Sequence, residues 1–266
     1  MNEKKVAVVT GGTSGIGRAT ALALKDAGCT VYELSRRAEG VEGLHHISAD
    51  VTDESAVNAA VAQVIAAEGQ IDILVNNAGF GISGAIEFTS TTDARSLFDV
   101  NFFGMVNMNR AVVPLMRAAG HGRIVNLSSV AAPVPIPFQA YYSATKAAVN
   151  AYTMALANEL RPFGITVCAV QPGDIHTGFT AARVKTMEGD DVYGGRIGRS
   201  VQRMEHDEQT GMDPAKVGRY IAAVASREGS HHPLYATRID YKFFVFLTKV
   251  LPARFLNWLI YQLYGK

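Results

Sequence analysis

The sequence is poor in cysteine and in charged residues, and each shortage excludes a class of protein. Only two cysteines occur among 266 residues, Cys29 and Cys168, each inside an apolar run far from the other. Such a pair gives no disulfide framework, so we expect a reducing compartment and a cytoplasmic protein. Charged residues make up 18% of the chain and the net charge is +1 without a basic block, so nucleic acid is not an expected partner.

Long apolar runs, a leader segment and metal-ligand patterns are also missing. The longest apolar stretch, from Phe243 to Tyr264, is broken by Lys249, Pro252 and Arg254, short of the roughly 18 apolar residues that a membrane span needs. No basic segment followed by an apolar one stands at the start, so no secretory signal is predicted. The seven histidines show no metal-ligand spacing with cysteines or carboxylates. We therefore expect no metal and no transmembrane span.

Hydrophobic residues are plentiful, at 48%, enough for one large α/β domain over residues 1–266. Apolar runs bounded by turn residues predict seven strands: Val6–Thr10, Thr30–Leu34, His46–Ala49, Ile71–Asn76, Arg123–Leu127, Ile165–Val170 and Leu234–Ile239. Segments of helical composition lie between them: Gly17–Ala27, Glu54–Glu68, Thr92–Ala119, Tyr142–Arg161 and Pro214–Ser226. This alternation predicts a Rossmann-type, doubly wound parallel sheet flanked by helices.

Two segments fall outside the alternation. Residues 178–212 are rich in Gly, Arg, Asp and Glu, and a loop so long inside a compact domain is usually a lid or disordered; we expect a substrate lid. Residues 241–266 carry more large apolar side chains than a capping helix needs. For this C-terminal helical extension three interpretations stay open: packing on the core or a second subunit, closing an apolar substrate channel, or peripheral contact with a membrane.

A glycine-rich turn joins the first predicted strand to the first predicted helix. It reads Thr10-Gly11-Gly12-Thr13-Ser14-Gly15-Ile16-Gly17. At such a turn a dinucleotide pyrophosphate can lie against backbone N–H groups and the positive end of the helix, and glycines allow the close approach. A lone glycine-rich turn is a weak signal, so it predicts a dinucleotide site only in combination with further motifs.

Tyr142 and Lys146 stand four residues apart on a predicted helix, so both project from one face. An ammonium group there favours the phenolate over the phenol, which would bring a tyrosine that ordinarily titrates near about 10 closer to neutral pH. Such a tyrosine can act as a general acid or base. Ser129 ends the fifth predicted strand thirteen residues before Tyr142, and strand alternation turns its neighbour Ser128 to the other face.

Together these motifs resemble the short-chain dehydrogenase/reductase family from Val6 to about Thr177. The turn resembles the family's TGxxxGxG, Tyr142 with Lys146 its YxxxK, and Pro172-Gly173 with Thr177 its PGxxxT segment. The resemblance implies four catalytic residues: Ser129, Tyr142, Lys146 and Asn101. In this family the residue at the place of Ser129 holds the substrate oxygen, and the one at the place of Asn101 supports a water that links Lys146 to solvent.

The resemblance also implies the cofactor contacts. They are Gly11, Thr13, Ser14, Gly15, Ile16, Gly17, Ser35, Arg36, Arg37, Asp50, Val51, Asn77, Ala78, Gly79, Tyr142, Lys146, Pro172, Gly173, Ile175 and Thr177. Two roles stay open for Asn76: it contacts the nicotinamide ribose, or it is a structural brace at the end of its strand. Family members usually pair through the helices that correspond to Leu97–Met116 and Tyr142–Leu160, so a homodimer or homotetramer is expected.

The end of the second predicted strand bears on which nicotinamide cofactor binds. An NAD-preferring enzyme of this kind needs a carboxylate there for the ribose hydroxyls. The sequence instead has Leu34-Ser35-Arg36-Arg37, and serine and arginine bind a 2′-phosphate by hydrogen bonding and charge. The sequence therefore predicts NADP(H). The alternative is that Arg36 and Arg37 are solvated surface charges.

The sequence thus predicts an NADP(H)-dependent oxidoreductase that interconverts a secondary alcohol and a ketone or aldehyde. The apolar, proline-rich segment Ala131–Phe138 joins Ser129 to Tyr142, and with the apolar C-terminus it favours a lipophilic, steroid- or retinoid-like small-molecule substrate. A non-catalytic NADP-binding sensor or scaffold, and a reductase of a small polar carbonyl, stay open as alternatives. A dehydratase or epimerase is the least favoured, because the chain lacks the extra C-terminal residues usual in sugar-nucleotide members.

Overall fold

The computed structural model describes residues 4–227, 229 and 232–266. Its strands are β1 (Val6–Thr10), β2 (Thr30–Ser35), β3 (His45–Ser48), β4 (Ile73–Asn76), β5 (Ile82–Ser83), β6 (Gly122–Leu127), β7 (Ile165–Gln171), β8 (Val184–Lys185) and β9 (Leu234–Ala236). Its helices are α1 (Gly15–Asp26), α2 (Glu54–Glu68), α3 (Thr91–Phe98), α4 (Gly104–Ala119), α5 (Ala140–Leu160), α6 (Phe179–Ala182), α7 (Arg196–Gln209), α8 (Pro214–Ser226), α9 (Ile239–Val250) and α10 (Ala253–Ile260). Short 3-10 helices cover Ile86–Phe88 and Arg161–Phe163, and single π-helical turns cover Asp99–Phe103 and Tyr261–Gly265.

Seven of these strands form one parallel sheet in the order β3-β2-β1-β4-β6-β7-β9. The predicted Rossmann-type sheet is confirmed. From β1 the chain first builds outward through β2 and β3, and then returns to place β4 on the other side of β1. Ligands of such sheets bind at the carboxyl ends of the strands, where this direction changes.

Each face of the sheet has its own hydrophobic core, which explains why the strands are nearly continuous apolar runs. On one face α2, α4 and α5 contribute buried side chains such as Val61, Met108 and Leu160. On the other face α1 and α8 contribute Leu24 and Ile221. Both cysteines are free and buried.

One predicted helix is two helices. Instead of running unbroken over Thr92–Ala119, the chain forms α3, the π-helical turn Asp99–Phe103 and then α4. Asn101 lies in the widened turn, and its side chain hydrogen-bonds to the backbone of Phe80. One extra residue in a turn leaves the apolar periodicity almost unchanged, so the pattern could not reveal it.

The segment 178–212, predicted as a long loop, is largely structured. It contains α6, β8 and α7, and β8 pairs with β5 in a small second sheet. In α7 only Ile197, Ser200, Val201 and Met204 are buried. The many charged residues on its opposite face concealed this narrow buried stripe. The seventh strand is also shorter than predicted, since β9 ends at Ala236.

Within the described part of the chain, no helix combines the length and apolar character needed to cross a bilayer. No group of three or more His, Cys, Asp or Glu side chains there is arranged to hold a metal ion.

Gly218 marks the contact between α8 and α1. A Cβ at this position would lie 2.5 Å from the carbonyl carbon of Ala19, and helix backbone cannot move aside as a side chain can. In a free helix Gly→Ala stabilises by up to about 1 kcal/mol. Here we expect Gly218→Ala to lower the free energy of unfolding by about 1–3 kcal/mol, measured by urea denaturation.

The matched control is Gly198→Ala in α7. A Cβ there meets only the ends of the Asp190 and Met187 side chains, which can shift, so we expect a change within about 1 kcal/mol. Equal losses in the two variants would contradict the assignment of Gly218 to a backbone contact.

Candidate functional site

A cavity of about 370 Å³ opens at the carboxyl ends of β1, β4, β6 and β7. One wall is the glycine turn, another carries Ser129 and Tyr142, and residues of the segment 178–212, called the lid below, line the far side. The predicted site residues that line it are Gly11, Ser14, Gly15, Ile16, Arg37, Asn77, Ala78, Gly79, Ser129, Tyr142, Lys146, Pro172, Gly173, Ile175 and Thr177. The fold therefore brings most of the predicted catalytic and cofactor residues to one cavity.

Several predicted residues do not line this cavity: Thr13, Gly17, Ser35, Arg36, Asp50, Val51 and Asn101. Arg36 and Asp50 line a neighbouring depression together with Val100, and Arg36 Nη1 is 3.9 Å from Asp50 Oδ2. Val51 is buried in the hydrophobic core. Ser35 Oγ accepts a hydrogen bond of 3.4 Å from the backbone N–H of Arg37.

The glycine turn is held by the segment that follows β4. Thr10 Oγ1 accepts hydrogen bonds of 3.0 Å from the backbone N–H groups of Asn77 and Ala78, and Asn77 Nδ2 donates to Thr10 O at 3.0 Å. A Cβ on Gly17 would lie only 2.2 Å from Gly11 O. The start of α1 can approach this turn because position 17 is glycine.

The start of α1 is suited to bind an anion. Its N-cap, Ser14, makes no side-chain capping bond, and no acidic residue stands in the first turn. The first N–H groups of a helix have no intrahelical partner and lie at the positive end of the helix dipole. Because Ser14, Gly15 and Ile16 line the cavity, these groups fit the pyrophosphate of a dinucleotide.

Asn76 is a structural brace. Its Nδ2 donates to Asn109 Oδ1 and to Asn126 Oδ1, each at 2.9 Å, and Asn126 Nδ2 in turn donates to Thr153 Oγ1 at 2.9 Å. This buried chain of amides ties β4 and β6 to α4 and α5. Of the two roles open for Asn76, the geometry supports the brace.

Ser129 and Tyr142 lie on the wall next to the lid. Ser129 Oγ accepts from Ala131 N at 3.1 Å and is 3.4 Å from Pro172 O, to which it donates. The neighbouring hydroxyl of Ser128 donates to the backbone carbonyl of Lys146 at 3.1 Å. Across the cavity the Tyr142 ring meets Phe179 of α6 edge to face, with ring centroids 5.8 Å apart.

Burial controls the protonation of the pair on α5. It raises the pKa of Tyr142 to about 12, which the hydrogen bond with Ser129 partly opposes and the carboxylate of Glu208 reinforces. Burial lowers the pKa of Lys146 to about 8. Lys146 Nζ donates to Leu127 O at 2.7 Å and lies 5.7 Å from the centroid of the Tyr142 ring. The pKa of Tyr142 is therefore raised rather than lowered as expected, because burial is the largest influence on it.

Asn101 lies in the π-helical turn, next to Gly79 of the cavity lining, and is 3% exposed. Its Oδ1 accepts from Phe80 N at 3.0 Å and its Nδ2 donates to Phe80 O at 2.9 Å. The Asn101 side chain thus fixes the segment after Gly79 beside Lys146. Its expected support of a water stays a prediction.

Two carboxylates and an aromatic ring in the cavity were not predicted: Asp174, Glu208 and Phe179. Asp174 Oδ2 accepts from the Tyr241 hydroxyl at 3.0 Å, and burial raises its pKa. Glu208 accepts from Thr180 Oγ1 at 2.6 Å and pairs with the buried Arg183. Asp174 could have been found between Gly173 and Ile175, whereas nothing in the sequence distinguishes Glu208 from the other lid charges.

A family model described as short chain dehydrogenase matches residues 5–188. The chain belongs to this family. Among curated proteins it is similar to a 3-ketodihydrosphingosine reductase from Bacteroides thetaiotaomicron, with 39% identity over 260 residues, which are 97% of this chain and 94% of that one. These matches confirm the predicted family and its oxidoreductase class.

Solved structures of the family show the same architecture. A short-chain dehydrogenase from Streptomyces avermitilis has 34% identity and a TM-score of 0.84, with 92% of each chain covered. A 3-ketoacyl-(acyl-carrier-protein) reductase from Brucella melitensis, complexed with NADH, has 28% identity and a TM-score of 0.74, covering 89% of this chain and 97% of that one.

Proposed function

We propose that this short-chain dehydrogenase reduces a lipophilic ketone with NADPH. The observation that carries the proposal is that Ser129, Tyr142 and Lys146 share one cavity with the glycine turn. When bound, the nicotinamide supplies the hydride to the carbonyl carbon. Ser129 holds the carbonyl oxygen, and Tyr142 donates its phenolic proton to that oxygen as the alcohol forms.

The protonation states on α5 favour the direction of reduction. With a pKa of about 12, Tyr142 carries its proton at neutral pH, and reduction requires a proton donor. Lys146, with a pKa of about 8, is still largely charged at pH 7 and stabilises the phenolate that remains after proton transfer. Alcohol oxidation starts from the phenolate, which burial disfavours.

For the substrate we propose a long-chain ketone with an amino group near the carbonyl. The support is the relative named for 3-ketodihydrosphingosine, a long-chain ketone of that kind, together with the cavity lining. Ala131, Ile136 and Phe179 give apolar walls, while Asp174 provides a carboxylate that suits a cationic amine. Steroid- and retinoid-like ketones remain the alternative substrates.

A non-catalytic cofactor sensor is the competing function, and nothing in the described cavity favours it. Ser129, Tyr142 and Lys146 are all present in the wall of the cavity.

We also propose a homodimer or homotetramer through α4 and α5. Three large exposed apolar side chains on or next to these helices support it: Phe103, Met154 and Phe163.

Tyr142→Phe tests the proton donor. With 3-ketodihydrosphingosine and NADPH we expect kcat to fall about 100-fold or more, because the ring keeps its shape but has no proton to give. Turnover is measured by NADPH absorbance. The Kd for NADPH should stay within about threefold of the wild-type value, because the substitution removes an interaction made in the transition state rather than one that binds the cofactor.

Tyr141→Phe is the matched control and should retain kcat within about twofold, because Tyr141 lies outside the described cavity lining. A ketone of equal chain length without the amino group should react with a lower kcat/KM. Full activity in Tyr142→Phe would exclude the mechanism, whereas inactivity of the wild type on every ketone, despite tight NADPH binding, would favour the sensor.

The pH profile tests the same site without mutation. As pH rises through about 8, Lys146 loses its charge while Tyr142 stays protonated. We therefore expect kcat/KM for ketone reduction to be level at neutral pH and to decline above about 8. Alcohol oxidation should instead accelerate with rising pH, because it needs the phenolate. Reduction that becomes faster above about pH 8 would refute this assignment.

NADP(H) preference rests on the residues at the end of β2, since the shared fold accommodates NADH in a relative. Glu33 could have served as an NAD-binding carboxylate, but it is fully buried and bonded to His46. Beyond it come Ser35, Arg36 and Arg37, of which Arg37 lines the cavity and Arg36 has a side chain 75% exposed. Two cations without a competing carboxylate from β2 suit a 2′-phosphate.

Arg36→Ala and Arg37→Ala test the cofactor preference one residue at a time. Loss of a charge-assisted hydrogen bond to the phosphate should raise the Kd for NADPH about tenfold to hundredfold. The Kd for NADH, which has no 2′-phosphate, is the internal control and should change less than about threefold. Equal weakening of both cofactors, measured by fluorescence titration, would show that the arginines are not phosphate ligands.

A further inference from the structure

The C-terminal helices present an apolar surface that the rest of the described chain leaves uncovered. In α9 the side chains of Ile239, Phe243, Phe246 and Val250 recur at spacings of four, three and four, which puts them on one side of the helix. Each is at least 54% exposed, and no residue of α9 is fully buried.

The next helix, α10, also exposes large apolar side chains. Phe255 and Trp258 are about half exposed, and their rings stack with centroids 5.8 Å apart. Tyr261 and Leu263 in the following turn are also exposed. Monomeric proteins rarely expose so many large apolar side chains together without a partner. We call the exposed side chains of residues 239–263 the C-terminal face.

Positive charge is concentrated in the same segment. Residues 238–266 hold five Lys or Arg and a single acid, Asp240, which gives +4, whereas residues 1–237 together carry −3. Arg238 is paired with Asp240. Lys242, Lys249 and Arg254 are exposed next to the aromatic side chains.

We propose that the C-terminal face docks on an anionic lipid bilayer, with α9 and α10 lying in the plane of the interface. Aromatic and aliphatic side chains on one side of a helix, bordered by lysine and arginine, are what such an interface binds. A second copy of the chain is a poorer partner, because a two-fold contact would bring the two positive segments together.

The inner side of α9 is attached to the wall of the candidate active site. Tyr241 Oη accepts from the backbone N–H of Asp174 and donates to its carboxylate, both at 3.0 Å. The Tyr241 ring also occupies the place where a Cβ on Gly173 would stand. A bilayer on the outer side of α9 therefore lies next to the cavity. Docking itself does not depend on the proposed reaction.

Trp258 makes docking measurable, because it is the single tryptophan of the chain and it lies on the C-terminal face. The full chain, without substrate or cofactor, is mixed with vesicles of phosphatidylcholine and phosphatidylglycerol. We expect the emission of Trp258 to shift to shorter wavelength and to be quenched by lipids with brominated acyl chains. Vesicles of phosphatidylcholine alone, or high salt, should give a weaker response.

Two sets of substitutions separate the apolar and the charged contributions. Phe243→Ser with Phe246→Ser and Val250→Ser should weaken vesicle binding at least about tenfold, since three inserted side chains are lost. Lys242→Gln with Lys249→Gln and Arg254→Gln should do the same for anionic vesicles only. The control, Ile86→Ser with Val192→Ser, removes equally exposed apolar side chains elsewhere and should bind as the wild type does.

Three outcomes would overturn the proposal. They are a wild-type chain that does not bind anionic vesicles, Ser variants that bind as well as the control, and self-association by light scattering that the Ser variants lose while vesicles have no effect. The last would assign the C-terminal face to a second copy of the chain. If the Ser variants fail to fold by circular dichroism, the Gln variants alone decide.

Discussion

The close approach of α1 to the turn after β1 is the constraint on which the site depends. A Cβ at position 17 would collide with Gly11 O, so only glycine fits there. Hydrogen bonds between Thr10 and Asn77 attach the turn to the segment after β4. The contact fixes where the start of α1 points, and so where an anion can bind. It also fixes the gap between the ends of β1 and β4, around which the remaining cavity walls are arranged. A larger residue at position 17 would therefore disturb fold and site together.

The second determinant is the removal of Tyr142 and Lys146 from water. Burial moves their pKa values in opposite directions, to about 12 and about 8, and each shift favours the neutral form. The site thus keeps the proton on the phenol of Tyr142, while Lys146 loses its proton more easily than a lysine in water does. This arrangement suits proton donation by Tyr142 better than proton abstraction. Asp174 and Glu208 reinforce the rise of the tyrosine pKa. The Asp174 carboxylate that would receive a cationic substrate therefore also helps to keep Tyr142 protonated.

The sequence predicted those parts of the molecule that depend on local spacing. The parallel sheet follows from apolar runs, and the common face of Tyr142 and Lys146 follows from a separation of four on a helix. What could not be predicted depends on contacts between distant segments: the π-helical turn at Asn101, the brace from Asn76 to Asn109 and Asn126, and the placement of Glu208 beside Tyr142. The pKa of Tyr142 belongs to this group, since spacing indicates a neighbouring charge but not how deeply the pair is buried.

The C-terminal segment, residues 239–266, differs from the other helices because its inner side bonds to the rest of the molecule while its outer side is exposed. Its inner side supplies polar anchors: Tyr241 bonds to Asp174, and Tyr264 donates to Asp207 Oδ2 at 3.0 Å on the lid helix α7. These anchors hold the cavity wall and the lid in place. The outer side carries the exposed aromatic residues and the excess of cations, which the core does not need. Any partner that covers the outer side, whether lipid or protein, would therefore act on a segment directly bonded to the wall and lid of the cavity.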